Sequence, residues 1–374
     1  MRHILPSPPI RQTRTAAFVA DLLRRQPELA CDPKLSPKAF AIWQGRVRRK
    51  LKQLLAFPRV PRQPPPQLVS DEPRAGYRLQ AWELYPEPGS VVPFLMLVPD
   101  GVSAERPAPA VMCFPGTDHP KEGLCGEPVP EPWKPVFQDP RQAMALHMVR
   151  AGYIAVAFDN PGTASLHDPE RPDWKRQADH LMWLGRSYEG LSVFQKWVAF
   201  RWLRTQPEVD ATRIAACGFS LGAKPALLLA AIEPRVAAVV WNDQASSWRE
   251  RELATRLTGV PPWHYIPGFL RWFDYTDLMA ALAPRPLLVT EGGRLADHAR
   301  IRRAYSRLRA AARFKVTFMP NFADPKKRTR APLPEGLDPK EYGRYANYDR
   351  DHYFKPDAAV PWLKRELGGR RSGS

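Results

Sequence analysis

Ile214-Ala215-Ala216-Cys217-Gly218-Phe219-Ser220-Leu221-Gly222-Ala223-Lys224, running on into the apolar stretch Pro225 to Ile232, decides how the chain is read. Its first residues are small and apolar, as in a buried strand, and its last have the composition of a buried helix. Between them Gly218-Phe219-Ser220-Leu221-Gly222 sets a serine between two glycines. A sharp turn there lifts the hydroxyl clear of the strand end and leaves the next backbone N–H beside it, so Ser220 is a candidate nucleophile. An ordinary strand-to-helix connection uses the same residue types, and only the rest of the chain separates the two readings.

Working outward, short continuous apolar runs recur at Ala110 to Phe114, Ile154 to Phe158, Val236 to Trp241, Leu287 to Thr290 and Val316 to Met319. Helical spacing predicts helices over Gln142 to Arg150, Leu191 to Arg204, Ala223 to Ala231 and Ala299 to Ala312. Buried strands alternating with amphipathic helices predict an α/β fold, a mostly parallel sheet with helices on both faces. Ligands of such a sheet bind at the carboxyl ends of its strands. Gly76 to Leu84 and Val91 to Val98, joined by the turn-forming Tyr85 to Ser90, read as an antiparallel hairpin at the sheet edge.

Ahead of the hairpin, Thr15 to Phe57 reads as helical in two segments. Phe18, Leu22 and Leu23 form one apolar stripe, and Phe40, Trp43, Val47 and Leu51 another, both expected to pack on the main domain. The prolines between Pro58 and Pro66 then break regular structure. The expected division is an N-terminal helical extension with a Pro-rich linker over 1–66 and the α/β domain over 67–370.

Composition narrows the classes. Of 374 residues, 44% are hydrophobic and 25% charged, as in a folded globular protein rather than a disordered or fibrous one. A formal net charge of +18 invites an anionic partner. The basic residues are spread along the chain, however, and no nucleic-acid recognition motif accompanies them, so no nucleic-acid partner is expected. Cys31, Cys113, Cys125 and Cys217 have neither metal-ligand nor disulfide-framework spacing. No stretch reaches the ~18 apolar residues of a membrane span, so neither a metal nor a membrane partner is expected, and the expected location is cytoplasmic.

A serine nucleophile of this kind takes its partners in the chain order nucleophile, acid, histidine. Downstream of Ser220 stand His264, His298 and His352. His352, in Asp351-His352-Tyr353-Phe354, follows the last strand and precedes a helix expected over Pro356 to Leu367, the position of a base. The acid should follow Leu287 to Thr290, in Glu291-Gly292-Gly293-Arg294-Leu295-Ala296-Asp297. Asp297 is the first choice, Glu291 its rival at the strand tip, and Asp243 after the preceding strand a third site. The oxyanion needs two backbone donors, Leu221 N–H and the N–H of Gly116 or Thr117 after Ala110 to Phe114. Lys224 is expected to tie the helix after Ser220 to a neighbouring loop, with His119 and Arg249 as candidate pocket-lining groups. Three long connections, Gly116 to Pro140, Asn160 to Tyr188 and Asp243 to Leu282, carry Trp133, Phe137, Trp174, Trp183, Trp248 and Trp263. They read as aromatic-rich lid loops that wall the pocket.

Gly218-Phe219-Ser220-Leu221-Gly222-Ala223-Lys224, Ala283-Pro284-Arg285-Pro286-Leu287-Leu288-Val289, Tyr265-Ile266-Pro267-Gly268 and His352-Tyr353-Phe354 together resemble the acetyl-xylan-esterase-like and dienelactone-hydrolase-like branch of the α/β-hydrolases. The resemblance covers roughly Trp43 to Leu367. It implies the α/β-hydrolase fold and hydrolysis of carboxylic esters through an acyl-enzyme without a cofactor, with Ser220 as nucleophile, His352 as base and an acid near Asp297. The implied substrate is a small-molecule ester, of a sugar or an aromatic compound. Two other readings stay open, a peptidase of the same superfamily and a non-catalytic binding protein that kept the turn at Ser220.

Overall fold

The computed structural model describes residues 13–32, 34–136 and 139–368. The first twelve residues of the expected extension, the last two of the expected 67–370 domain and the loop aromatic Phe137 lie outside the described residues.

Among the described residues, nine strands make one sheet in the order β1-β2-β3-β5-β4-β6-β7-β8-β9. They are β1 (Gln67–Arg74), β2 (Tyr77–Leu84), β3 (Val92–Pro99), β4 (Ala108–Phe114), β5 (Ile154–Phe158), β6 (Val209–Phe219), β7 (Ala238–Asn242), β8 (Leu287–Val289) and β9 (Phe314–Val316). The first three are antiparallel and join the rest through β3 against β5, while β5, β4, β6, β7, β8 and β9 run parallel. This is the expected mostly parallel sheet, with β2 and β3 as the expected hairpin. β1 was not expected: it is polar, largely exposed and carries Pro73, features that an edge strand tolerates and a sequence pattern hides.

Period-two alternation assigns each strand's side chains to two cores. Ala110, Met112 and Phe114 face a core built with Phe194, Leu228, Leu278 and Ile301, while Val111 and Cys113 face one built with Met144, Met148, Trp362 and Leu363. Helices therefore cover both faces, Tyr188–Leu203, Ala223–Ile232, Tyr275–Ala281 and Leu295–Arg307 on one, Met144–Arg150 and Pro356–Gly368 on the other. Every residue of Ala223–Ile232 is buried, which is why it reads as apolar all round.

The N-terminal helices divide in behaviour. Phe40, Trp43, Val47 and Leu51 of Pro37–Leu54 are buried in the first core. Thr15–Arg24 buries none of its residues, and Phe18 and Leu22 are 48% and 39% exposed, so the first expected stripe does not enter the core. The helix lies along Trp248–Ala254 instead. Its Val19 and Leu23 border an apolar cavity there. Among the described residues no helix is long and apolar enough to cross a membrane.

Candidate active site

Chain order reverses around β4: β5 pairs with it on one side and β6 on the other. Such a reversal opens a crevice at the carboxyl ends of the strands, and there β4 and β6 deliver their terminal loops. β6 ends at Phe219 and the helix Ala223–Ile232 begins three residues beyond Ser220. Ser220 itself has φ +52°, a left-handed conformation disfavoured for a residue with a Cβ. Gly218 and Gly222 make the turn possible by close approach: a Cβ on Gly218 would collide with Gly222 O, and one on Gly222 with Phe114 O. The hydroxyl-bearing residue is half-buried and opens on a cleft of about 590 Å³.

His352 lines the same cleft, in the loop before Pro356–Gly368, with its ring tilted against Phe219 at 4.7 Å. Its Nδ1 lies 2.6 Å from Glu291 Oε2. Glu291 is completely buried, and its other oxygen accepts from Asn242 Nδ2 at 3.0 Å and faces Lys355 Nζ at 3.3 Å. Asn242, at the end of β7, also donates to Tyr353 O and accepts from Lys355 N, so one buried amide holds both the carboxylate and the histidine loop.

Electrostatics in the cleft follow from these contacts. Burial works against the charged imidazolium of His352, but the Glu291 charge and hydrogen bond outweigh it, and Asp243 adds to them, so the ring is held above the ordinary imidazole range. Burial pushes the Glu291 carboxyl up, held back in part by the charge and hydrogen bond of His352. For Asp243 burial works upward, yet Lys224 first and His352 next bring it below the ordinary carboxylate range.

Of the three carboxylates weighed as the acid, the structure brings Glu291 to His352 and does not bring Asp297, the first choice. Asp297 is in the first turn of Leu295–Arg307, completely buried, and accepts from Ser247 N at 2.9 Å. The reason is the backbone at Gly292 (φ +70°) and Gly293 (φ +131°), which turns the chain away from His352 immediately after Glu291. Gly293 packs where a Cβ would collide with Ala245 O, which fixes the new direction. Asp243 lines the cleft, but its Oδ2 is 2.5 Å from Lys224 Nζ. Lys224, which also donates to Ser220 O at 2.9 Å, ties the helix to the β7 loop.

The candidate oxyanion donors lie on the two sides of the crevice. Leu221 follows Ser220 and packs with Trp174 and Tyr188. Gly116 is buried, and a Cβ on it would stand 2.7 Å from the Phe219 ring. Asn160 Nδ2 donates to Pro115 O at 3.2 Å and Gly116 O at 2.9 Å. In a trans peptide the N–H points opposite its carbonyl, so pinning these two carbonyls aims the N–H groups of Gly116 and Thr117. Sequence reasoning missed both Asn160 and Asn242; the only available signal was an amide just past a predicted strand.

The expected walls need correcting. Trp248, Arg251, Val260 and His264 of the third connection line the cleft together with residues 339–346 and 348–350. Apart from the candidate donors Gly116 and Thr117, whose loop packs against Phe219 and Gly222, residues 116–140 and 160–188 supply no wall to this cleft among the described residues. Trp174 instead packs behind Leu221, and Trp183 is 85% exposed. His119 stacks on Phe219 and contacts Gln142, while Arg249 donates to Arg25 O, so neither lines the cleft.

Residues 10–365 match the model of the Abhydrolase family. A Bacteroides fragilis protein assigned as a candidate acetyl xylan esterase is similar in structure, with 36% identity, 96% of each chain covered and a TM-score of 0.89. A glucuronoyl esterase from Solibacter usitatus is similar in fold, at 15% identity over 78% of this chain and 92% of that one, with a TM-score of 0.56. No curated protein matches the sequence.

Proposed function

The chain belongs to the Abhydrolase family, and on that premise we propose that it is a serine esterase that cleaves carboxylic esters of carbohydrates through an acyl-enzyme. The observation that carries the reading is the 2.6 Å contact of His352 Nδ1 with fully buried Glu291, in the cleft onto which strained Ser220 opens. The acetyl xylan esterase assignment of the 36% identical relative supports the carbohydrate ester as substrate class.

His352 takes the Ser220 proton on Nε2, since Nδ1 is engaged by Glu291. The Ser220 oxygen attacks the ester carbonyl, and the tetrahedral oxyanion is met by Leu221 N–H and an N–H of Gly116 or Thr117. Each such donor is worth roughly 3 kcal/mol of transition-state stabilisation. His352 passes its proton to the leaving alcohol, leaving the acyl group on Ser220. Water then enters and gives a proton to the same nitrogen as its oxygen attacks the acyl carbon; the bond to Ser220 breaks, His352 returns the proton to the Ser220 oxygen, and the acid leaves. Glu291 keeps Nδ1 protonated and offsets the positive charge that forms on the ring.

Four free thiols, three of them buried, support the cytoplasmic reading, because unpaired cysteines suit a reducing compartment. The test of the function is Ser220→Ala assayed on 4-nitrophenyl acetate and on acetylated xylan. Turnover should fall by about 10⁴-fold or more. Hydrolysis surviving that substitution refutes the mechanism.

A further inference from the structure

The cleft contains a second imidazole backed by a buried glutamate. His264 Nδ1 lies 2.8 Å from Glu189 Oε1. Glu189 is completely buried, in the first turn of Tyr188–Leu203, and burial pushes its carboxyl up to about 8, against the pull of Lys224 and Lys196. Its other oxygen has no hydrogen-bond partner among the described residues. Burying a carboxyl group with half of its hydrogen-bonding capacity unused is unfavourable, and the contact that this one does make orients His264. That ring lines the cleft that Ser220 and His352 also line. With Nδ1 engaged by Glu189, the nitrogen the ring can offer a ligand is Nε2.

The surroundings define what that nitrogen would meet. Trp248 stands edge-on to His264 at 5.3 Å and lines the same cleft, as do Gln244 and Arg251. An indole wall beside hydrogen-bonding groups suits a ring that is apolar on its face and hydroxylated at its rim.

We propose that His264, oriented by Glu189, is a substrate-binding residue that hydrogen-bonds a hydroxyl of the sugar ring on the alcohol side of the scissile ester, with Glu189 as its positioning residue. The proposal rests on the carbohydrate-ester reading above and assigns a second, non-reacting histidine to the site.

The test compares two acetyl donors, a methyl β-xyloside carrying one acetyl group and 4-nitrophenyl acetate, which has no hydroxyl to recognise. His264→Ala should raise KM for the xyloside about tenfold, the loss expected for one hydrogen bond. Any loss on the aryl acetate should be several-fold smaller than on the xyloside, since that substrate offers the ring no hydroxyl. His264→Gln should recover much of the xyloside KM, and Glu189→Gln should fall between wild type and His264→Ala. Equal losses on both substrates, or an unchanged KM for the xyloside, overturn the proposal.

A binding measurement separates its failure from failure of the esterase reading. In the Ser220→Ala background, unreactive methyl β-xyloside is titrated against tryptophan fluorescence. Weaker binding when His264→Ala is added supports the site even if no ester is turned over. Equal affinities in the two proteins overturn it.

Discussion

Glu291 and Asp297 occupy the two ends of one turn, both completely buried, and they serve opposite sides of it. Glu291 meets His352 and is held by Asn242 and Lys355. Asp297 meets the backbone of Ser247, directly before Trp248–Ala254, the helix whose Trp248 and Arg251 line the cleft. One carboxylate orients the proposed base, and the other braces a wall. Burial does not distinguish them. The direction of the chain at Gly292 and Gly293 does, and it is set by packing against Ala245.

The largest effect should come from Glu291→Gln, which keeps the shape and removes the charge. In a triad, loss of the acid's charge costs about 10⁴-fold in kcat. The pH profile should move as well. A base works only when neutral, so kcat/KM rises as His352 loses its proton, and in the wild type that limb lies above the ordinary imidazole value because Glu291 raises it. Without the carboxylate, burial and Lys224 pull the ring down, and the limb should shift to lower pH. A limb that stays in place, or moves up, would break the assignment of Glu291.

Asn242→Leu should act through Glu291 and give a smaller loss. It removes the hydrogen bond to Glu291, worth about 10-fold to 100-fold, together with the two that hold the histidine loop, and the loss should appear in kcat with KM nearly constant. An equal loss in KM alone would mean that Asn242 shapes the pocket and not the base.

The smallest effect on chemistry should come from Asp297→Ala. With the Ser247 N–H left buried and unpaired, folding stability should fall by about 1–3 kcal/mol in urea unfolding. The same variant should keep kcat within about threefold, because no reacting group loses a contact. A kcat loss on the scale of Glu291→Gln would exchange the roles of the two carboxylates.

The parts legible in the sequence were those governed by local pattern. β5 could be read from five consecutive buried residues, and the helix after Ser220 from an unbroken apolar run. β1 was hidden because an exposed edge strand has no apolar pattern to show. The Thr15–Arg24 stripe packs on the main domain only in part: the helix lies along Trp248–Ala254 with Leu23 at the cavity between them, while Phe18 and Leu22 stay exposed. Asn160 and Asn242 act on residues 44 and 49 positions away, across loops from different strands, and no local spacing encodes such a partnership.

By itself the sequence determined the order of the buried elements, the two-sided parallel sheet and the turn at Ser220, because hydrophobic period and glycine placement act within a few residues of the chain. Only the tertiary structure decided which carboxylate reaches His352, which connection walls the cleft and which histidine Glu189 holds. Those outcomes depend on where side chains from distant segments point once the sheet is packed, and on two glycines whose positive-φ conformation is set by what they touch.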